Sequence, residues 1–180
     1  GLGDVYKRQV TDYPAFSWRA FMLDEGRYFK GKEVVKQLLD EMADLKMNVF
    51  HWHLTDDQGW RIEIKSRPEL TEIGSKRAET VIGHNSGKYD GKPYGGFFTQ
   101  EEAKEIVAYA AERHITVIPE IDMPGHMLAA VSNYEGVSCF NETGWGSVFS
   151  SPVCPGKDSA LEFCKNIYAE LIALFPYKYV

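Results

Sequence analysis

Two short runs hold most of the residues able to do chemistry. They are Phe50-His51-Trp52-His53-Leu54-Thr55-Asp56-Asp57-Gln58-Gly59-Trp60 and Pro119-Glu120-Ile121-Asp122-Met123-Pro124-Gly125-His126. Alternate side chains of an extended chain share a face, so His51, His53 and Thr55 point one way while Phe50, Trp52 and Leu54 pack the other way. Polar groups on the hidden side of a strand are costly unless they serve a site. By the same period Glu120 and Asp122 share a face, and Pro124-Gly125 turns the chain so that His126 comes back over the strand end. Imidazoles beside carboxylates suit acid–base chemistry, because each tunes the protonation of the other. A lone histidine reads most simply as a satisfied core residue; beside two carboxylates at a strand end the site reading takes over. Asp57 reads as a bystander, since an Asp in such a turn commonly caps the local backbone.

The elements that must position these residues alternate between strand and helix. Residues 16–24 form an apolar run suited to a buried strand. Residues 31–45 follow with Val34, Val35, Leu38, Leu39, Met42 and Leu45 at helical spacing. Residues 48–54 make a second strand, and a long polar excursion then runs from 56 to 98, too long for an ordinary strand–helix connection. Its Gly- and Tyr-rich stretch, 75–96, suits a substrate-facing loop or a mobile insertion equally well. Thr99 and Glu102 predict a capping box opening a helix with Ala103, Ile106, Val107 and Ala110 inward. Residues 115–121 make a third strand. A last helix starts at Asp158, with Leu161, Cys164, Ile167, Tyr168 and Leu171 on one face, and Pro176 stops it. Tyr177 to Val180 is expected to begin a fourth strand.

Repeated strand–helix units imply an α/β fold with a parallel sheet. No Gly-rich phosphate turn follows the first strand, which argues against a dinucleotide fold. Barrel enzymes keep their chemistry where strands end. The unusual polar residues obey that rule: Arg27 lies past the first strand, Asp56 and Asp57 past the second, and Asp122 to His126 past the third. Composition agrees with a globular domain: 44 % apolar and 13 % aromatic residues over 180 positions. A net charge of −6 argues against nucleic acid or an anionic membrane as partner. No apolar stretch is long enough to span a bilayer. Residues 1–9 fit neither period and read as a non-native or disordered tail, leaving 10–180 as the domain.

The motifs resemble those of family 20 glycoside hydrolases, the β-N-acetylhexosaminidases. Trp18-Arg19, Leu23-Asp24 and Arg27 carry the likeness with the two runs above, so it covers nearly everything from Phe16 to Val180. It implies a (β/α)8 TIM barrel of which about the first half is present. It also implies removal of terminal β-linked N-acetylglucosamine or N-acetylgalactosamine with retention of configuration. The sugar's own acetamido group acts as nucleophile and forms an oxazolinium intermediate, an exception to the two-carboxylate scheme. By resemblance, Arg27 holds the outer hydroxyls of the terminal sugar. Asp56 and His126 form a carboxylate–imidazole pair leading to the catalytic Glu, Asp122 supports that network, and His53 lines the polar interior in a packing role. The family's catalytic Asp-Glu pair follows the fourth strand, a few residues after Tyr179-Val180. These 180 residues are therefore expected to be inactive alone. The resemblance implies no cofactor, an oligosaccharide or glycoconjugate as partner, and a periplasmic or extracellular home.

Two other readings compete. His51-x-His53 also resembles the metal pair of amidohydrolase-like barrels, where two same-face imidazoles hold Zn²⁺ and activate water, with His126 and Asp122 completing the site. That scheme leaves the acidic turn and Arg27 without a task. Alternatively, Arg27 and the aromatic residues hold sugar without cleaving it. Of three cysteines, Cys139 and Cys154 bracket a loop and either pair in an exported protein or remain free thiols.

Overall fold

The computed structural model describes residues 9–83, 86–140 and 152–180. In chain order the elements are β1 (Ala20–Asp24), α1 (Lys32–Asp44), β2 (Val49–His53), β3 (Thr55–Asp56), β4 (Gly59–Trp60), α2 (Glu69–Glu72), β5 (Lys76–Arg77), β6 (Tyr94–Gly95), α3 (Gln100–Ala111), β7 (Thr116–Glu120), α4 (Leu128–Val131) and α5 (Asp158–Leu174). Most of the expected tail, residues 1–8, lies outside the described residues.

Strands β1, β2 and β7 form a parallel three-stranded sheet in that order. Consecutive parallel strands lying side by side require helical crossovers, which α1 and α3 supply. The sheet is open and does not close into a barrel among the described residues. Its register pairs Asp24 with His53, and His53 with Glu120. One polar residue from each strand therefore lies in a single row at the C-terminal end of the sheet.

The apolar side of the sheet is the core. Phe50, Trp52 and Leu54 are fully buried with Val35, Leu39 and Met42 of α1 and Ala103, Ile106 and Ala110 of α3. Trp52 sits at the centre, its ring 4.7 Å from Phe98, 5.8 Å from Phe50 and 6.3 Å from Phe175. The expected capping box holds α3: Thr99 Oγ1 accepts from the Glu102 amide at 3.1 Å, and Glu102 Oε2 accepts from the Thr99 amide at 3.1 Å.

Several expectations change. The first strand begins at Ala20 rather than Phe16, and Phe16 and Trp18 are exposed. In α1, Val34 and Leu45 face solvent while Val35, Leu39 and Met42 form the buried stripe. In α5 the buried face runs Ala160, Phe163, Ile167, Leu171 and Leu174, which leaves Leu161 outside. A 3.6-residue period admits two adjacent stripes when apolar residues are abundant, and only the packing partner selects one. Residues 177–180 form a bend and irregular chain rather than a fourth strand; a strand needs a ladder partner, and Tyr179 instead packs edge-on against Trp18 at 6.0 Å. The excursion 56–98 is not a plain polar loop. It supplies Trp60, Ile62, Ile64, Leu70 and Phe98 to the core and is laced by the β3–β4 and β5–β6 pairs.

Candidate active site

The site lies at the C-terminal ends of the three parallel strands and is organised by one carboxylate. Asp56, at the β3–β4 turn, has a fully buried side chain whose acceptor positions are filled from four directions. Oδ2 meets Arg27 Nη2 at 2.7 Å and His53 Nε2 at 3.3 Å. Oδ1 accepts from the Asp57 amide at 2.7 Å and meets His126 Nδ1 at 3.2 Å. Burial pushes its pKa up. The hydrogen bond from His53, the Asp57 amide, and the charges of Arg27 and His126 outweigh that, and the carboxylate is held below its ordinary range. Against this acceptor His126 turns Nδ1 toward Asp56, with Nε2 on the other side of the ring.

Each neighbour is delivered by local geometry. Gly26 lets the turn after β1 close on Asp56, since a Cβ there would lie 3.0 Å from the Asp56 Cβ. That turn presents Arg27, whose amide donates to Asp24 Oδ1 at 3.0 Å and whose Nη1 meets Asp24 Oδ2 at 2.6 Å. Arg27 remains 43 % exposed, so the donors not used by the two carboxylates are open to a ligand. His126 sits in the left-handed region at φ 55°, a conformation that costs a non-glycine residue about 1 kcal/mol or more. Held at that angle, its ring meets Asp56 across a sequence separation of 70.

His53 is more than interior lining. Its Nδ1 lies 2.9 Å from Glu120 Oε2, opposite the Asp56 contact at Nε2, and Asp24 and Asp122 stand 4.0 and 3.9 Å from Nε2. Burial pulls its pKa down, yet hydrogen bonds to Asp56 and Glu120 and the charges of Glu120 and Asp24 carry it to about 9. His53 is therefore an imidazolium at neutral pH and the positive centre of an acidic ring. Glu120 also takes His51 Nε2 at 2.5 Å. It hydrogen bonds with Asp122. Asp122 is raised by burial and by Glu120, whereas the His53 hydrogen bond and charge hold Glu120 below its ordinary range against burial. The Asp122 amide is fixed by Thr55 Oγ1 at 3.1 Å.

Of the four singled-out residues, Arg27 and His126 thus meet Asp56 directly, and His53 stands between Asp56 and Asp122. Asp57 caps no local backbone; its Oδ1 accepts from the Leu128 amide at 3.1 Å and ties α4 to the site. The zinc reading does not fit this geometry. The point on which His51 Nε2 and His53 Nδ1 converge is already filled by one oxygen, Glu120 Oε2, at 2.5 and 2.9 Å, and His51 joins neither group of convergent imidazole and carboxylate atoms among the described residues. Asp24, His53 and Glu120 were the underrated members. Their signal was positional, one row across three strands, and it becomes visible once the strands are aligned. The fork of donors on the first strand's turn, the buried carboxylate on the second and the imidazole on the third form one rim constellation, and it lies inside the stretch that matches a known domain. The sequence pattern of "Glycosyl hydrolase family 20, catalytic domain" covers residues 16–180.

The chain belongs to glycosyl hydrolase family 20.

A β-hexosaminidase of Porphyromonas gingivalis is 47 % identical over 176 residues, covering 95 % of this chain and 21 % of that protein. A β-hexosaminidase of Vibrio furnissii is 42 % identical over 184 residues, covering 95 % and 29 %. The crystal structure of a β-N-acetylhexosaminidase superposes with a TM-score of 0.84 at 40 % identity, over 93 % of this chain and 35 % of that one. An exo-β-N-acetylglucosaminidase of Vibrio harveyi, solved with N-acetylglucosamine, gives a TM-score of 0.79 at 41 % identity, over 92 % and 27 %. The chain thus spans roughly a fifth to a third of these family members' length.

Proposed function

We propose that this chain is the substrate-holding part of a retaining β-N-acetylhexosaminidase built on a (β/α)8 barrel. Its substrate class is an oligosaccharide or glycoconjugate ending in β-linked N-acetylglucosamine or N-acetylgalactosamine. The observation that carries this is the Arg27–Asp56–His126 constellation at the strand ends, in a chain that belongs to the hexosaminidase family. Arg27, fixed by Asp24 and Asp56 yet half open to solvent, offers a rigid fork of donors to vicinal hydroxyls of the terminal sugar.

In the reaction the acetamido oxygen attacks the anomeric carbon while the glycosidic C–O bond breaks. A glutamic acid gives its proton to the departing oxygen. The same group, now carboxylate, takes a proton from water as that water opens the oxazolinium ring, and two inversions leave the configuration retained. An aspartate beside that glutamate steadies the acetamido nitrogen. We place this Asp-Glu pair after a fourth strand, beyond Val180. In this half, Asp56 orients His126 toward that acid, and Asp122 with Glu120 and His53 sets the local charge. A periplasmic or extracellular setting belongs to the same proposal. The Cys139–Cys154 disulfide supports it, since such bonds persist in oxidising compartments.

The test is hydrolysis of a chromogenic β-N-acetylglucosaminide by the 180 residues alone and by the chain extended to the length of its relatives. Turnover is expected only in the extended protein, falling about 10²-fold or more with His126→Ala or Asp56→Asn. Turnover by the 180 residues alone would overturn the placement of the acid. An extended protein that folds and stays inert would overturn the hexosaminidase reading.

A further inference from the structure

Beneath the rim lie two arginines, Arg61 and Arg77. Arg61 is completely buried and spans four separate segments through backbone carbonyls alone. Its Nε donates to Glu25 O at 3.1 Å and Gly26 O at 3.2 Å, and its Nη2 to Gly26 O at 3.1 Å and Gln58 O at 3.4 Å. Its Nη1 donates to Ser75 O at 2.5 Å and Gly96 O at 3.0 Å. Arg77, on β5, continues the pattern: Nη1 donates to Arg27 O at 2.8 Å and Gln58 O at 3.3 Å. The carbonyls of Glu25, Gly26 and Arg27, three in succession, therefore all accept from these two guanidinium groups. Gln58, two residues after Asp56, accepts from both.

Such a device is expensive for mere packing. Neither guanidinium has a carboxylate within ion-pair range among the described residues. Burial, and then the neighbouring Arg77 charge, push the Arg61 pKa down to about 10. Gly59 is required for the arrangement, because a Cβ there would lie 2.1 Å from Arg61 Nη2. Arg77 lies between the rings of Tyr94, 4.5 Å away, and Tyr28, 5.3 Å away. Tyr94 in turn donates its hydroxyl to Phe29 O at 2.7 Å. The stems of the excursion thus hold the Arg27 turn itself.

We propose that Arg61 and Arg77 are positioning residues for substrate recognition, a buried clamp that sets the separation between the Arg27 turn and the Asp56 turn. The inference rests on the proposed sugar-binding task of Arg27. A shift of even 1 Å at this junction moves the guanidinium off the hydroxyls it must grip, which on the scale of known misplacements costs up to about 10²-fold. Lysine cannot substitute for Arg61, because one ammonium with three donors cannot reach carbonyls on four segments, nor for Arg77, because it lacks the planar fork that spans Arg27 O, Gln58 O and Thr80 Oγ1.

The experiment is a double-mutant cycle in the chain extended to the length of its relatives, read as KM and kcat on a chromogenic β-N-acetylglucosaminide. Both are measured well below the melting temperature of each variant. Arg61→Lys and Arg77→Lys are each expected to raise KM by roughly tenfold or more with a smaller change in kcat. In an Arg27→Ala background the same changes should do little further harm, because the group they position is gone. Equal losses in both backgrounds, or a loss confined to the melting temperature, would overturn the clamp while leaving the hexosaminidase reading intact. A folded extended protein without turnover would instead sink that reading. If Arg61→Lys fails to fold, the Arg77→Lys cycle decides alone.

Discussion

Asp56 has four donors on two oxygens and no exposure, so its ionised form is the only one that satisfies every neighbour. His53 is the complementary cation, and its raised pKa fixes the sign of a pH effect. A histidine raised from about 6.5 in the unfolded chain to about 9 in the fold contributes stability that is complete below pH ~6.5. That contribution declines as pH rises and is lost above ~9. Asp56, whose pKa is depressed, contributes in the other direction: its share is present above about pH 4 and is lost in acid. The melting temperature of the chain is therefore expected to fall between pH 6.5 and 9, and His53→Gln should flatten that slope. A slope unchanged by the substitution would show that His53 is neutral in the fold.

Among the elements, α3 shows how local sequence decides an end. Thr99 and Glu102 satisfy two amides that the first turn cannot. Thr99→Ala should cost about 1 kcal/mol in urea unfolding, while changes outside the box, such as Lys104→Ala, should cost far less. By contrast, α1 has glycine at its N-cap position, Gly31 at φ 85°, and no capping side chain of its own. Its end is served from a distance: the Lys30 amide donates to the Glu25 carboxylate, which is buried and raised to about 7 chiefly by that burial. Such a contact comes from the turn after β1 and has no signature in the helix's own sequence. The same contrast separates the β-strands. The Val49–His53 strand announces itself by alternation, whereas Lys76–Arg77 and Tyr94–Gly95 pair beside Ser75 and Gly96, whose carbonyls both accept from Arg61.

At the scale of the molecule, the sheet, its helices and the 56–98 excursion share one core around Trp52 and Phe98, so site and scaffold are mechanically continuous. The disulfide Cys139–Cys154, with Cα atoms 4.5 Å apart, closes a 15-residue separation. It also secures Val153, whose amide donates to Pro124 O at 2.9 Å, two residues before His126. Closing such a loop is worth about 3 kcal/mol. Cys139→Ser should lower unfolding stability by about that amount, and a reductant should lower wild type while leaving the variant unchanged. No effect of reductant on wild type would mean that the two thiols are unpaired in solution.

The sequence by itself determined the alternation of strand and helix, the α3 cap and the placing of Arg27, Asp56, Asp122 and His126 just past the strand ends. These follow from periodicity, capping chemistry and motif, all properties of residues near one another in the chain. Only the tertiary structure decided which apolar stripe of α1 and α5 is buried, because a helix with two candidate stripes turns the one its neighbour can cover. It alone raised His53 from lining to hub, through a register that sets Asp24, His53 and Glu120 in one row. The Arg61–Arg77 clamp was invisible for the same reason. A guanidinium that binds carbonyls leaves no complementary residue in the sequence, since every residue type carries a carbonyl.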